Sequence, residues 1–178
     1  MKKNKAIFLD RDGVINKVII RNGKPSSPRK LEEFEIFPNV KKCLEAFKEM
    51  GFLNIVFTSQ PDISRGNLKI EDLEKMHKLI LETLPVDDIK FCPHDDIDNC
   101  FCRKPKPGLI LEASKEWSVD LKKSWVIGDR WKDIEAGKAA GCKTIMMRKK
   151  YNKDYKDYDF GVNSLIKTVE IIKKLDKK

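Results

Sequence analysis

The sequence holds no apolar run approaching the ~20 residues a helical bilayer span needs. Its first apolar run, Ala6 to Leu9, is cut by Asp10 and is too short for the core of a secretory signal. No internal repeat and no low-complexity linker occurs, so neither a solenoid nor a flexible array is expected. Aromatic residues make up 8% of the chain and do not alternate with basic ones, as a platform for single-stranded nucleic acid requires. Histidine occurs twice and cysteine five times. An odd cysteine count without a secretory segment argues against a disulfide framework. These absences point to a soluble, cytoplasmic protein with no membrane contact.

What remains is one domain's worth of chain: 178 residues, 20.7 kDa, 40% of them apolar, read as a single domain over 1–178. The formal net charge is +9. Much of it lies in RKKYNKDYK (148–156) and the terminal IIKKLDKK, which reads as solvated lysine faces, with attraction of polyanionic substrates as the alternative.

Short apolar segments alternate with amphipathic ones. KAIFLD (5–10), FLNIVFTS (52–59), IKFCP (89–93), SWVIGD (124–129) and CKTIMM (142–147) read as strands buried on both faces. Helices are expected over 38–50, 70–84, 107–117 and 133–140, the first with Pro at its opening turn and Gly51 as its stop. An edge strand at 160–162 and a closing helix at 165–175 complete a C-terminal unit of about 158–176. This β-then-α order predicts an α/β doubly wound parallel sheet. Ligands bind such sheets beyond the carboxyl ends of the strands. The polar clusters fall there: Asp10 and Asp12, Thr58 to Gln60, Cys92 and His94, Gly128 and Asp129.

FLDRDGVIN sets two aspartates two apart after a strand, so that one carboxylate can attack phosphorus while the other handles the leaving group's proton. A lone Asp-x-Asp is equally a turn feature. A second acidic strand end, WVIGDRWKD, brings Asp129 beside the first pair, and gathered carboxylates repel unless a hard cation sits among them, Mg²⁺ being the usual choice at a phosphate site.

FLDRDGVIN, FTSQ, RKPKPG and IGDRWKD, in that order, resemble the haloacid dehalogenase (HAD) superfamily of phosphotransferases. The CPH…CFC loop joined to CRKPKPG resembles the branch that holds D-glycero-D-manno-heptose 1,7-bisphosphate phosphatase and the histidinol-phosphate phosphatase domain; the likeness covers about residues 5–165. It implies a HAD-like Rossmannoid fold, with Asp10 as nucleophile and Asp12 as general acid and base. It further implies Mg²⁺ on Asp10, the carbonyl of Asp12 and Asp129, with Thr58 and Lys104 on the phosphoryl oxygens and Arg103 on the rest of the substrate. Lys106 competes with Lys104, which is preferred because it directly follows the arginine. Asp133, one turn past Asp129, would orient the metal's water shell or simply start a helix.

Cys92, His94, Cys100 and Cys102 form C-x-H…C-x-C, three thiolates and an imidazole suited to a closed structural Zn²⁺ site. Such a site carries no chemistry of its own; it would fix a loop over 92–102 and aim Arg103 and Lys104. Asp95, Asp96 and Asp98 in that loop read as solvated acids, His77 as a helix-face residue without function, and Cys43 and Cys142 as core thiols.

Neither the 14–37 nor the 61–88 interval is long enough for a cap domain, so a capless, open site is expected. Its pocket would draw on the zinc loop, residues 17–30 and SQPDISRG, with Ser59, Gln60, Arg65 and Arg130 as contacts. Ser59 stands where asparagine is common in the heptose enzymes, which bears on substrate rather than on chemistry. The reading is a Mg²⁺-dependent phosphomonoesterase for a heptose bisphosphate, a small phosphorylated sugar of lipopolysaccharide precursor synthesis, working as a monomer. Histidinol phosphate and nucleic-acid 3′ ends are the rival substrates, and a silent zinc-braced binding module is the non-enzymatic rival.

Overall fold

A computed structural model describes residues 3–176; Met1, Lys2 and the last two lysines of the terminal run lie outside the described residues. In chain order it contains β1 (Lys5–Leu9), β2 (Ile19–Arg21), β3 (Lys24–Ser26), α1 (Val40–Glu49), β4 (Phe52–Ser59), α2 (Ile70–Thr83) and β5 (Asp88–Cys92). There follow α3 (Gly108–Glu116), β6 (Trp125–Gly128), α4 (Trp131–Ala140), β7 (Lys143–Met147), β8 (Phe160–Val162) and α5 (Leu165–Asp176). Six strands form one sheet in the order β5-β4-β1-β6-β7-β8, every pairing parallel.

Both faces of the sheet are covered, which is why its inner strands are mostly apolar. In β1, Ile7 and Leu9 join the layer with α1, α2 and α5, while Ala6 and Phe8 join the layer with α3 and α4. Helix α1 sends Val40, Leu44 and Phe47 inward, all but fully buried. Truncating Phe47 to Ala would cost about 3–5 kcal/mol through lost transfer energy and the cavity left behind. The helix starts at Val40, not at Pro38 as expected, because Asn39 has φ +68°, outside helical space. Helix α4 begins two residues earlier than expected, at Trp131, where the Arg130 N–H donates to Asp133 Oδ2 at 2.8 Å. Among the described residues no helix is long and apolar enough to cross a membrane.

The chain runs outward from β1 to β4 and β5, then returns past β1 to β6. The crevice at the carboxyl ends of β1 and β6 is therefore the topological switch point, where such sheets bind ligands. One element went unread in the sequence: β2 and β3 pair antiparallel around Asn22 (φ +50°) and Gly23 (φ +72°). Asn-Gly with both residues left-handed is the hairpin signal that could have found it.

Candidate active site

Asp10 follows β1, Asp129 follows β6, and Asp133 sits on the first turn of α4. Each of the three carboxylates offers an oxygen within 4.8 Å of the others, and all three residues are buried. Lys104 reaches the same point from the loop before α3. Its Nζ donates to Asp10 Oδ1 at 2.7 Å, Asp133 Oδ1 at 2.5 Å and the Phe57 carbonyl at 3.3 Å. Burial, then Asp133, pushes the Asp10 carboxyl well above the usual range, while Lys104 pulls it back. Burial and Asp133 likewise raise Asp129, to about 6. Asp10 and Asp133 raise the Lys104 ammonium against the opposing effect of burial.

Three buried carboxylates around one lysine leave a deficit of positive charge. Oδ1 of Asp129, moreover, is buried without a hydrogen-bond partner. A hard divalent cation fits both facts: it supplies the charge and takes the free oxygen.

Asp12 follows a different logic. It lies outside that trio, and its carboxylate accepts from Arg11 (3.0 and 3.1 Å to Nη2, 3.1 Å to Nε), Asn16 (2.9 Å), Ser27 (2.8 Å) and Gln60 (2.8 Å). Burial opposes ionisation, but Arg11 and these hydrogen bonds outweigh it and hold the pKa below the ordinary value. Arg11 is fully buried, and its Nη1 lies 3.3 Å from Nε2 of the buried His77. Sequence reasoning passed over Arg11 and set His77 aside; an arginine between two strand-end aspartates was the available signal.

Thr58 is buried, and its Oγ1 accepts from Gln60 Nε2 at 2.9 Å, which leaves the hydroxyl proton free to donate. Gln60, expected at the substrate, is fully buried behind Asp12 and Thr58, so the structure gives it a bracing position instead. Ser59 lines the cleft, and its buried Oγ has no partner. Lys106 is turned away onto the carbonyls of Asn99 and Cys100, at 3.0 Å each. Tyr151 and Asn152, from a lysine-rich stretch read as solvated, hold Asp129: the tyrosine hydroxyl donates to Oδ2, and Asn152 Nδ2 donates to the carbonyl at 2.7 Å.

Above this floor opens a cleft of about 370 Å³. Arg65, Arg103 and Arg130 line it, as do Arg29, Trp131 and the hairpin residues Pro25 to Ser27. The cations are pre-paired. Arg29 meets Asp62 at 2.8 Å, Arg65 meets Asp95 at 2.5 Å, and Arg103 meets Asp96 at 2.6 Å. Of the loop acids expected to be solvated, Asp95 and Asp96 thus pair with the pocket's arginines, while the exposed Asp98 accepts the Asp95 N–H at 2.7 Å. Arg130 donates to the Pro25 carbonyl at 3.0 Å, tying α4 to the hairpin.

The sulfurs of Cys92, Cys100 and Cys102 lie 3.0, 3.4 and 3.5 Å apart, with His94 Nδ1 3.3 Å from Cys102 Sγ and 3.6 Å from Cys92 Sγ. A tetrahedron with Zn–S bonds of about 2.3 Å has edges of about 3.8 Å, so the set could close on zinc with a small expansion. Cys43 and Cys142 are buried in the core.

Residues 101–160 match the family described as HAD-hydrolase-like. A Helicobacter pylori protein named D-glycero-beta-D-manno-heptose-1,7-bisphosphate 7-phosphatase is 39% identical over 83% of this chain and 85% of its own. A Campylobacter jejuni protein named as the alpha-anomer 7-phosphatase is 36% identical over 89% of this chain and 88% of its own. Among solved structures, D,D-heptose 1,7-bisphosphate phosphatase from B. bronchiseptica, complexed with magnesium and phosphate, superposes with a TM-score of 0.81 at 24% identity, covering 96% of this chain and 99% of that one.

Proposed function

The chain belongs to the HAD-like phosphatases, in the branch of the heptose-1,7-bisphosphate 7-phosphatases, and from that membership we propose that it removes the 7-phosphate of a D-glycero-D-manno-heptose 1,7-bisphosphate. It is a phosphoric monoester hydrolase. The observation that carries the site reading is the meeting of Asp10, Asp129, Asp133 and Lys104 at the switch point, beneath an arginine-lined cleft.

Asp10, Asp129 and Asp133, with the carbonyl of Asp12, would hold Mg²⁺. When bound, the ion screens the charge of a carboxylate from that of the phosphate. Asp10 attacks phosphorus, the bond to the sugar C7 oxygen breaks, and Asp12 gives that oxygen its proton, leaving an aspartyl-phosphate. Asp12 then takes a proton from water, whose oxygen attacks phosphorus and releases Asp10 and inorganic phosphate. At rest Asp12 is ionised; a phosphate dianion arriving beside it raises its proton affinity, as a nearby like charge does. Lys104 and the Thr58 hydroxyl stabilise the transferring oxygens.

Ser59, Arg65, Arg103 and Arg130 suit the second phosphate and the sugar hydroxyls. An amine substrate such as histidinol phosphate finds less here, because Asp62 in the cleft wall is already held by Arg29. Zinc on Cys92, His94, Cys100 and Cys102 would brace the loop that ends in Arg103 and Lys104. Reduced thiols, as that site needs, accord with a cytoplasmic location. Both clusters rest on one sheet, which supports a single domain.

The test compares kcat/KM for both anomers of heptose 1,7-bisphosphate and for histidinol phosphate, with Asp10→Asn as control. A heptose bisphosphate is expected to lead by about 100-fold or more, with Asp10→Asn inactive in every assay. Preference for histidinol phosphate would refute the substrate, and an active Asp10→Asn would refute the nucleophile.

A further inference from the structure

Resting on the reading of the carboxylates as a divalent-cation site, we propose that Tyr151 is a positioning residue that restricts Asp129 to one metal-facing oxygen and thereby selects Mg²⁺ over Ca²⁺.

The two oxygens of Asp129 have opposite surroundings. Oδ2 accepts the Tyr151 hydroxyl, whereas Oδ1 is buried with no partner. The tyrosine is itself fixed. Its ring lies under the Arg130 guanidinium, 5.2 Å from centroid to Cζ, and the next residue donates from one amide to the carbonyls of Asp129 (2.7 Å) and Met147 (2.8 Å). The opposite wall is Gly13, at φ +93°. A Cβ there would fall 2.1 Å from Asp129 Oδ2 and 3.0 Å from the tyrosine oxygen, so the pair can form only against a glycine.

Mg²⁺ takes a near-octahedral set of single oxygens, whereas Ca²⁺ accepts six to eight ligands and readily takes both oxygens of a carboxylate. A carboxylate whose second oxygen is held by the Tyr151 hydroxyl and walled by Gly13 resists turning both oxygens onto one ion, so it is set to give a metal one. The cluster therefore denies Ca²⁺ a two-oxygen grip at Asp129, which Mg²⁺ does not need. Partners of metal-ligating carboxylates typically carry about 10–100-fold in metal affinity.

Calorimetric titration of zinc-loaded protein, dialysed free of Mg²⁺, with MgCl₂ and with CaCl₂ gives the ratio Kd(Ca)/Kd(Mg) without any turnover. Tyr151→Phe removes only the hydroxyl and Tyr151→Leu also removes the ring; melting temperatures verify that each is folded. Both variants are expected to lower the ratio about tenfold, by weaker Mg²⁺ binding, tighter Ca²⁺ binding or both. A ratio within twofold of the parent's overturns the role of Tyr151 even if both affinities fall together. If the parent protein takes up neither ion, the cation-site reading fails and the proposal goes with it.

Discussion

At the scale of single residues, the least expected feature is a buried charge chain behind the acid–base aspartate. Arg11 has no solvent to hydrate it, so its guanidinium relies on the Asp12 carboxylate on one side and on a lone pair of His77 Nε2 on the other. A protonated imidazole there would face a cation in a dry site; burial, then Arg11, drives the His77 pKa down to about 3, with Asp12 opposing and Phe91 as an edge-on neighbour. In the unfolded chain His77 takes a proton near 6.5, yet the folded protein refuses it until about 3. Its contribution to stability is therefore complete above pH 6.5 and drains away as pH falls toward 3. His77→Gln keeps an acceptor for Arg11 and cannot titrate. Urea unfolding at pH 7.5 and 5.5 is expected to show the stability gap between parent and variant moving by about 1.4 kcal/mol in the variant's favour at the lower pH. Parallel curves would mean that His77 already shares its proton with the folded state.

At the scale of elements, the inner strands foreseen in the sheet were legible because both faces are buried and they are mostly apolar, as in β1 and β4. The hairpin of β2 and β3 was not. Its strands are three residues each, with no residue buried, and contain Lys24 and Pro25, so no period-two pattern exists to read. The Tyr151 clasp was hidden for a related reason: its contacts are made by two residues embedded among lysines, and composition there speaks only of solvent. The cysteine loop was readable because C-x-H…C-x-C has few other uses. Its energetic role can be measured. Only a short 3₁₀ turn, Asp96–Asp98, gives residues 92–102 any regular structure beyond the end of β5, and side-chain contacts such as Arg65–Asp95 and Arg103–Asp96 hold the rest, so a metal on its four ligands would add to what fixes the loop. Removing zinc with a thiol-compatible chelator is expected to lower the melting temperature and reduce kcat/KM about tenfold or more, because Arg103 and Lys104 lose their anchor. Readdition of Zn²⁺, and not of Mg²⁺, should recover both. Unchanged kinetics in metal-free protein would remove the loop from the active-site argument.

At the scale of the whole molecule, a net charge of +9 invites a polyanion as ligand, but the cleft's own charges are organised differently. Around its mouth cations and anions alternate, from Arg29 through Asp62, Arg65, Asp95, Arg103 and Asp96 to Lys132. Most of these cations are partly neutralised before any substrate arrives, and the excess charge sits elsewhere, as in Arg148 to Lys150. A groove that tracks a nucleic-acid backbone would carry unpaired cations and show a logarithmic salt slope of about −0.7 for each phosphate engaged. The alternating ring instead suits a compact ligand with two phosphates, one on the floor by Lys104 and one among the arginines, both reached at short range where screening is weak. Between 50 and 500 mM NaCl, kcat/KM for the heptose bisphosphate is therefore expected to fall by less than about tenfold. A 3′-phosphorylated oligonucleotide should turn over about 100-fold less efficiently at the lower salt. If the oligonucleotide proved the better substrate, with a slope steep enough for several phosphates, the dispersed lysines would have to be part of the binding surface, and the sugar reading would give way to a nucleic-acid end phosphatase.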